Sequence, residues 1–537
     1  MAENKNPGVN VQAPAPAEDF AEEGRNFVHE SRRYVGRKET IAYVLWDMSC
    51  SFNINNFSDR YITNILEVDL GFQAIVTFVN GIWDVVNDVF TGAIVDKTRT
   101  RWGKFKPYLL LLAGPGTLGT IFYWILPLIF PNTGLKHIGK FITYFVMTLV
   151  REGAGTFRSI SQEGLIATIT PHPVDRTRLI TVAEFFSGLL GEKLPEQIMS
   201  ILSDFIGNGV IKAGEGSSLK QLYTGLYCGM GVFTALVSGT ASFYFNLIAR
   251  ERVMQSVDRP SIKQGIRSII NNKPILLLTL SEVLGKFSIG GSKSTYLYDV
   301  LNFGSLYLIT GIPDLILNPV GYALVPWFRR HFSTRTLYIL GAKSGDILMF
   351  PVWLIGCIGG KKHGLYKNVL VMAICLTLWE CAFMMFYGVR GVIGREMYNE
   401  CMDYCEWRNG YRTEGMTSVA KGLAAKLAGV FTGTVQTLIK KWIGYDQTAY
   451  TTEGVKQSSN TQWWLFTMFA GMPFLTGMFS IIPILFYDLA GEKKEKMYAE
   501  LLQRRSELAS VSTTGSAEDL EEVSRRQMSV ADTHEKL

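Results

Sequence analysis

The chain has 537 residues, of which 47% are hydrophobic and 19% carry a charge, and its mean hydropathy is +0.15. These values and the many long apolar runs exclude a single soluble core and indicate a polytopic membrane protein. The net charge of +6 lies mostly in short loops, so it predicts orientation in the membrane and no nucleic-acid partner. The seven scattered cysteines form no CxxC pair, which predicts free thiols.

Twelve apolar segments are long enough to cross a bilayer, which takes about 17–25 residues in a helix. They run over residues 41–66, 70–95, 107–130, 140–169, 178–206, 221–249, 274–299, 304–328, 335–358, 365–390, 416–443 and 463–488. The predicted fold is therefore an all-α membrane protein with twelve transmembrane helices. The longest polar connection divides these helices into two six-helix bundles.

Lys and Arg concentrate in the even-numbered connections between the segments, such as residues 96–106 and 250–267. Because basic loops stay in the cytoplasm, both termini of this cell-membrane protein are predicted to be cytoplasmic. The predicted organisation is an N-terminal tail at 1–38, helix bundles at 39–250 and 274–490, a connecting loop at 251–273 and a tail at 491–537. The last tail is expected to begin with a short helix and to continue as a disordered Ser-, Thr- and Glu-rich stretch.

Two carboxylates, Asp84 and Asp88, lie four residues apart in the second segment and so share one helix face. Inside a bilayer such groups are costly, and they face a partner, a cavity or a transport path. Two carboxylates with Asn87 or a backbone carbonyl could bind a metal cation such as Na⁺, whereas a proton needs only one carboxylate. The other interpretation is a hydrogen-bonded pair in a helix-packing seam.

Polar residues also interrupt the first and fourth segments. Asp47 either completes a polar cavity or lies near the cytoplasmic end of the first helix. The fourth segment has two neighbouring polar faces, one with Glu152, Ser159 and Glu163 and one with Arg151, Arg158 and Gln162. Such a stripe lines a cavity, or its arginines pair internally with its glutamates.

Lys426 in the eleventh segment is deep enough to reach a carboxylate of the first bundle, or it extends to the membrane interface. In the seventh segment, Glu282 and Lys286 lie four residues apart, which predicts an ion pair.

Aromatic residues provide further candidates. Trp83 and Trp379 could stack against a sugar ring, and Glu380 beside Trp379 is another intramembrane carboxylate. Loop cations are predicted to meet carboxylates or helix C-termini at the cytoplasmic end and to hold one state closed. The predicted gating residues are Arg99, Arg101, Lys104 and Arg412.

Two longer motifs carry a resemblance to a known family. Residues 83–88 (WDVVND) and 96–107 (DKTRTRWGKFKP) resemble the second-helix and loop signature of the glycoside–pentoside–hexuronide:cation symporters, the melibiose permease-like family. Residues 403–415 (DYCEWRNGYRTEG) are similar to the loop before helix eleven of that family. The resemblance leaves out both tails.

The resemblance implies the major facilitator superfamily fold and symport of a sugar with Na⁺, Li⁺ or H⁺. It places Asp84 and Asp88 on the cation-site carboxylates of the family, and Lys426 on its helix-eleven lysine. Ser159 and Glu163 stand where a family member uses an aspartate and a tryptophan to bind sugar. The resemblance therefore implies that the cation site is retained and that the sugar site is altered.

The sequence therefore predicts a secondary active transporter, not an enzyme, that couples symport of a sugar, glycoside or uronide to Na⁺ or H⁺ by alternating access. It needs no cofactor beyond the cation, and its partners are the small-molecule sugar and membrane lipid. The predicted substrate-binding residues are Asp47, Trp83, Arg158, Ser159, Glu163, Trp379 and Glu380. Two alternatives stay open: a non-transporting sugar sensor with the same fold, and a carrier of an organic anion.

Overall fold

The computed structural model describes residues 35–503, except 99, 101, 104, 132, 170–177, 181, 184–185, 213–217, 251–269, 410–413, 453 and 502. At several helical positions, Glu163 among them, only the backbone is described. The four predicted gating residues, Arg99, Arg101, Lys104 and Arg412, lie outside the described residues, as do most of the connecting loop and of the two predicted tails.

Twelve α-helices of the described chain are at least twelve residues long, and they follow the predicted segments in order. They are α1 (Arg37–Ser51), α2 (Leu70–Lys97), α3 (Lys106–Ile129), α4 (Ile138–Thr168), α5 (Lys193–Gly207), α6 (Leu219–Ile248), α7 (Lys273–Lys286), α8 (Leu306–His331), α9 (Thr334–Cys357), α10 (Val369–Asn409), α11 (Glu414–Trp442) and α12 (Ser459–Ala470). The same residues contain no β-strand beyond an isolated bridge between Thr100 and Gly103.

Side-chain caps fix the points where several helices begin. The carboxylate of Asp69 accepts a hydrogen bond from the N–H of Gly71 (2.8 Å) at the start of α2. Ser218 and Gln221 form a reciprocal capping box at the start of α6. Because each cap satisfies N–H groups that have no partner in the first turn, the polar residue before the apolar run determines where the helix starts.

Three segments are interrupted between their ends. After α1, the chain continues as short helical turns over 55–65. The α7 segment resumes as Lys293–Asp299 beyond a stretch with Gly290 and Gly291. The α12 segment bends by 43° at Gly471, where the next helix has Pro near its start. Glycine and proline weaken helix continuity, so these breaks have a local cause.

Helix α10 is much longer than predicted. Most of the apolar segment predicted at 365–390 belongs to a 41-residue helix that begins at Val369 and is about 60 Å long at 1.5 Å per residue. The hydrocarbon core of a bilayer is only about 30 Å thick, so one end of α10 extends well beyond it. Residues 403–409, expected in a loop, are helical, because buried side chains such as Met397 and Cys401 continue its packed face.

A short helix near the C-terminus packs against this extension of α10. Residues 492–501 are helical, and Met497 and Leu501 are buried in the same hydrophobic cluster as the extension. Lys494 forms an ion pair with Glu400 of α10. The end of α10 and the helix at 492–501 therefore form one packed unit.

Five helices of the described chain, α3, α6, α9, α10 and α11, are long and apolar enough to cross a membrane. A sixth crossing results if the two helices bent at Gly471 form one span. Helices such as α2 and α4 are less apolar because of the polar residues on their inward faces. The number of twelve crossings stays a prediction.

Close contact between α3 and α6 depends on glycine. A Cβ atom on Gly231 of α6 would collide with the ring of Trp124, which is fully buried. A Cβ on Gly239, two turns further, would collide with Thr117 of α3. The absence of side chains at these two positions lets the helices approach each other closely.

We expect Gly231→Ala to lower the free energy of unfolding by about 1–3 kcal/mol, because the added methyl group overpacks the contact with Trp124. Thermal unfolding of the purified protein measures the effect. Gly229→Ala is the matched control, since a Cβ at Gly229 meets no atom within 4 Å. Equal unfolding midpoints for the two variants would contradict this packing.

Candidate functional site

The first six and the last six helices meet along α2 and α11. The helices approach closely at Gly81 of α2, where a Cβ would collide with Val430 of α11. Asp84 lies one turn beyond Gly81, and Lys426 lies one turn before Val430. Because the two helices run in opposite directions, these polar residues face each other just beyond the close contact.

The ammonium group of Lys426 bridges both carboxylates of α2. Its Nζ atom lies 3.0 Å from Oδ2 of Asp84, and it also donates to Oδ2 of Asp88. The side chains are partly exposed, by 42% for Lys426, 28% for Asp84 and 33% for Asp88. The site is therefore accessible, and it holds two negative charges against one positive charge.

Two uncharged residues lie next to this carboxylate centre, but only one of them contacts it. The hydroxyl group of Thr156 on α4 lies 3.5 Å from Oδ1 of Asp84, a contact that the sequence had not suggested. Asn87 is buried, its Oδ1 accepts a hydrogen bond from Thr91 (3.2 Å), and its amide nitrogen has no partner among the described groups. Of the predicted cation-binding residues, Asp84, Asp88 and Lys426 come together, while the oxygen of Asn87 points to Thr91.

The carboxylate centre contains oxygen ligands of the kind that a hard cation prefers. It does not belong to a cluster of three or more His, Cys, Asp or Glu side chains, and the described residues contain no such cluster. Two carboxylates and a hydroxyl group suit a monovalent cation or a proton.

The polar stripe of α4 divides between two sides of the helix. Thr156 faces Asp84, and Ser159, on the same side of α4, is exposed. Arg158 points toward α1 and α6, and its Nη2 atom donates to Ser242 (2.8 Å). Its Nε atom lies 2.8 Å from the side-chain oxygen of Gln162 when that amide is oriented to accept the bond. Arg158 therefore does not contact the carboxylate centre between α2 and α11, here also called the α2–α11 centre.

The predicted aromatic candidates lie in different surroundings. Trp83 beside Asp84 is 43% exposed. Trp379 of α10 donates to the carbonyl oxygen of Gly345 (3.0 Å) and stacks on Phe383, with 5.6 Å between the ring centroids. The indole N–H group and the ring face of Trp379 thus both contact groups of the last six helices.

Glu380 and Glu282 each pair with a lysine. Glu380 lies 3.2 Å from Nζ of Lys293, a pairing that the sequence did not predict. The predicted pair of Glu282 with Lys286 is wrong in its partner, because Glu282 contacts Lys421 of α11 at 2.8 Å. Spacing of four residues allows a pair within one helix, but a lysine from a neighbouring helix competes for the same carboxylate.

A second polar network, which the sequence analysis missed, joins the two halves. It lies at one end of the bundle, here named the distal face, which carries residues 66–69, 300–305 and 443–458. Arg60 and Asp299 form an ion pair of 2.8 Å whose side chains are 1% and 2% exposed. Tyr445 donates to the other oxygen of Asp299 (2.7 Å). The guanidinium group of Arg60 also lies over the ring of Tyr450, 4.4 Å from its centroid.

Further hydrogen bonds extend this distal network. Asn64 donates to the carbonyl oxygen of Gln447 (2.8 Å), and the amide of Gln447 donates back to the carbonyl oxygens of Thr63 and Val68. The carboxylate of Asp204 on α5 accepts hydrogen bonds from the backbone N–H groups of 304 and 305. Charged residues within apolar segments, such as Arg60 and Asp299, could have indicated that an ion pair exists. The sequence does not indicate which residues form it.

The arrangement of helices around polar, inward-facing residues defines a secondary transporter of the major facilitator superfamily. The family model for MFS/sugar transport proteins matches residues 41–491, and the chain belongs to that family. This confirms the resemblance to the glycoside–pentoside–hexuronide symporters, the multi-pass location in the cell membrane and the function as a transporter rather than an enzyme.

Relatives agree with this membership, and a solved structure shares the fold. The isoprimeverose transporter of Lactiplantibacillus pentosus is 22% identical over 508 residues, which cover 93% of this chain and 98% of the relative. The glucuronide carrier protein homolog of Escherichia coli (strain K12) is 22% identical over 475 residues, 87% of this chain and 95% of the relative. The inward-open conformation of the xylose transporter XylE from E. coli has a TM-score of 0.51 at 13% identity, covering 82% of this chain and 94% of that one.

We expect Asp84→Asn and Asp88→Asn each to abolish concentrative uptake while leaving exchange of bound solute measurable. Each change leaves one carboxylate facing Lys426, so the site loses the net negative charge that favours a cation. Uptake and counterflow in proteoliposomes separate the two activities. Asp446→Asn, which neutralises an exposed loop carboxylate, is the control. Full gradient-driven accumulation in either α2 variant would argue against the cation site.

Proposed function

We propose that this protein couples the symport of a sugar, glycoside or uronide to Na⁺ or H⁺ by alternating access. The observation that carries the proposal is the bridge of Lys426 between Asp84 and Asp88, at the contact between the two halves. Relatives named as transporters of isoprimeverose and as a glucuronide carrier homolog support the substrate class.

Charge balance explains how a cation acts at this centre. Lys426 neutralises one of the two carboxylates, so one negative charge remains for a cation to compensate. A cation that binds both Asp84 and Asp88 competes with the ammonium group for the same oxygens. Because Lys426 belongs to α11 and the carboxylates to α2, cation binding weakens one contact between the halves and biases their relative arrangement.

The solute is expected to bind beside this centre, between the halves. Trp83 offers an exposed indole ring next to Asp84, and Ser159 offers an exposed hydroxyl group on the side of α4 that carries Thr156. A sugar ring stacks on an aromatic face while its hydroxyl groups find polar partners. Transporters of this class bind their solute near the midplane, and Asp84 lies at the middle of α2.

The distal network indicates which side of the membrane is closed in this arrangement. If the basic connections are cytoplasmic, the distal face is extracellular, and the buried pair of Arg60 with Asp299 closes that side. The arrangement then corresponds to a state that is open toward the cytoplasm. Transport requires the pair to separate in each cycle, so the distal network is an extracellular gate.

The proposal is tested by uptake of a radiolabelled glycoside into proteoliposomes with an inward gradient of Na⁺, of H⁺ or of neither. We expect one of the two gradients to drive accumulation above equilibrium, because one net negative charge at the α2–α11 centre needs a cation. Lys273→Gln, which removes an exposed ion pair within the second half, is a control for the preparation. Equilibration at the same rate and level with all gradients would contradict cation coupling, and binding without any uptake would favour the sensor.

We expect Arg60→Gln to open the distal face more often, because it removes one partner of a buried ion pair, a loss typically worth about 3–5 kcal/mol. Ser203 is buried and lines a cleft in the distal face together with Asp299 and Tyr450. Ser203→Cys therefore reports opening through its labelling rate with a membrane-impermeant thiol reagent. Labelling should be faster with Arg60→Gln than with Lys273→Gln, which removes an exposed ion pair with Asp488 within the second half. The same rate in both variants would exclude the gate.

A further inference from the structure

A cavity of about 440 Å³ separates the first turns of two neighbouring helical stretches. One is α1, which contributes Arg37 and Ile41 to the wall. The other is the stretch 178–190, which is helical at its described positions, leads into α5 and contributes Arg178 and Val182. If the basic connections are cytoplasmic, this cavity lies at the cytoplasmic end of the first six helices.

Further along, the same two stretches are in direct contact. The hydroxyl groups of Ser51 and Ser187 lie 2.8 Å apart. A Cβ atom on Gly191 would collide with the carbonyl oxygen of Met48. The stretches therefore run side by side in the same direction, joined at their inner ends and held apart at their first turns by the cavity.

Each stretch exposes a stripe of side chains at every fourth position, and each stripe begins with an arginine. The exposed stripes consist of Arg37, Ile41 and Leu45 on α1 and of Arg178, Val182 and Phe186 on the other stretch. Their four apolar side chains are between 37% and 58% exposed. Positions four residues apart lie on the same side of a helix, so apolar groups follow each arginine one and two turns deeper.

The opposite sides of both stretches are packed into the first six helices. Trp46 of α1 is 3% exposed and stacks on Phe245 of α6, with 4.8 Å between the ring centroids. Leu179 and Ala183 of the other stretch are buried in the same hydrophobic cluster. The two stripes therefore point away from this cluster, toward the surroundings of the first six helices.

The order of charge and apolar surface along the stripes matches an anionic phospholipid in the cytoplasmic leaflet. A guanidinium group binds phosphate oxygens through parallel hydrogen bonds, and Arg37 and Arg178 stand on opposite walls of one cavity. Acyl chains lie deeper in the bilayer than the headgroup, just as the apolar side chains lie deeper than the arginines. Basic pockets between helices at the cytoplasmic side are typical sites for anionic headgroups.

We propose that Arg37 and Arg178 bind the headgroup of an anionic phospholipid whose acyl chains lie along the apolar parts of the two stripes. This lipid site is separate from the carboxylate centre and from the solute, so the inference goes beyond the proposed symport. A lipid bound there contacts both stretches and links their first turns across the cavity.

The test counts lipids that stay bound to the purified full-length protein in native mass spectrometry. The probes are phosphatidylglycerol and phosphatidylcholine with identical palmitoyl and oleoyl chains. Both contain a phosphate group, but the choline group compensates its charge. We expect wild type to retain phosphatidylglycerol about fivefold or more over phosphatidylcholine, because basic residues near the membrane surface attract anionic lipids.

Charge variants separate a defined site from general attraction. Arg37→Gln and Arg178→Gln should each lower the preference for phosphatidylglycerol about fivefold. Arg330→Gln is the matched control, because this exposed arginine in the last turn of α8 belongs to another basic connection and does not line the cavity. An equal loss in the control would mean unspecific attraction of anionic lipid and would overturn the site.

A space-filling variant tests the cavity without changing charge. A Cβ atom on Gly36, which lines the cavity, would meet no atom within 4 Å, so Gly36→Leu places a larger side chain in this space. It should reduce the retained phosphatidylglycerol about fivefold. Gly134→Leu is the control, since that glycine has the same free space and lies outside the cavity lining. Thermal unfolding confirms that each variant is folded.

The remaining outcomes identify other occupants. Displacement of phosphatidylglycerol by excess inorganic phosphate would assign the arginines to a soluble anion and overturn the lipid. Retention that occurs only after removal of residues 1–34 would assign the cavity to the protein's own N-terminal residues and overturn it as well. Equal retention of the two lipids by wild type, or unchanged preference in the folded Arg37→Gln and Arg178→Gln variants, would also contradict the proposal. Cation coupling is tested separately by gradient-driven uptake.

Discussion

The contact of Lys426 with Asp84 and Asp88 is the interaction on which the arrangement of the two halves depends. It exists because Gly81 lets α11 approach α2 and brings three charged groups to one level of the bundle. An ammonium group that serves two carboxylates cannot satisfy both charges. The centre therefore joins the helices and keeps one uncompensated negative charge, which is the feature on which the proposed cation coupling rests.

The distal network complements this centre at the other end of the interface. Arg60 and Asp299 are almost fully buried, and Tyr445 and Tyr450 surround them with polar and aromatic contacts. The α2–α11 centre, in contrast, is partly exposed. The interface thus combines a buried, hydrogen-bonded region with an accessible one. In this arrangement solvent reaches the charges of the α2–α11 region and not those of Arg60 and Asp299.

Much of the fold and part of the site followed from local sequence. Apolar runs predicted the order of the helices, and spacing placed Asp84 with Asp88 and Arg151 with Arg158 on shared faces. The partners of these faces depend on contacts between distant segments, as the pairing of Glu282 with Lys421 shows. Arg60 and Asp299 are 239 residues apart, and no local pattern indicates their contact. The extension of α10 was missed because its polar residues end the apolar run but not the helix.

The length of α10 has a mechanical consequence. The part beyond residue 390 is about 28 Å long, and the helix is continuous through Asn409. A rigid rod of that length moves its tip by about 5 Å for every 10° of tilt, so a small rotation of the helix within the bilayer becomes a large displacement outside it. Because Met497 and Leu501 are buried against this rod, the helix at 492–501 travels with it. Any change in the tilt of α10 is therefore amplified into a displacement of the helix at 492–501.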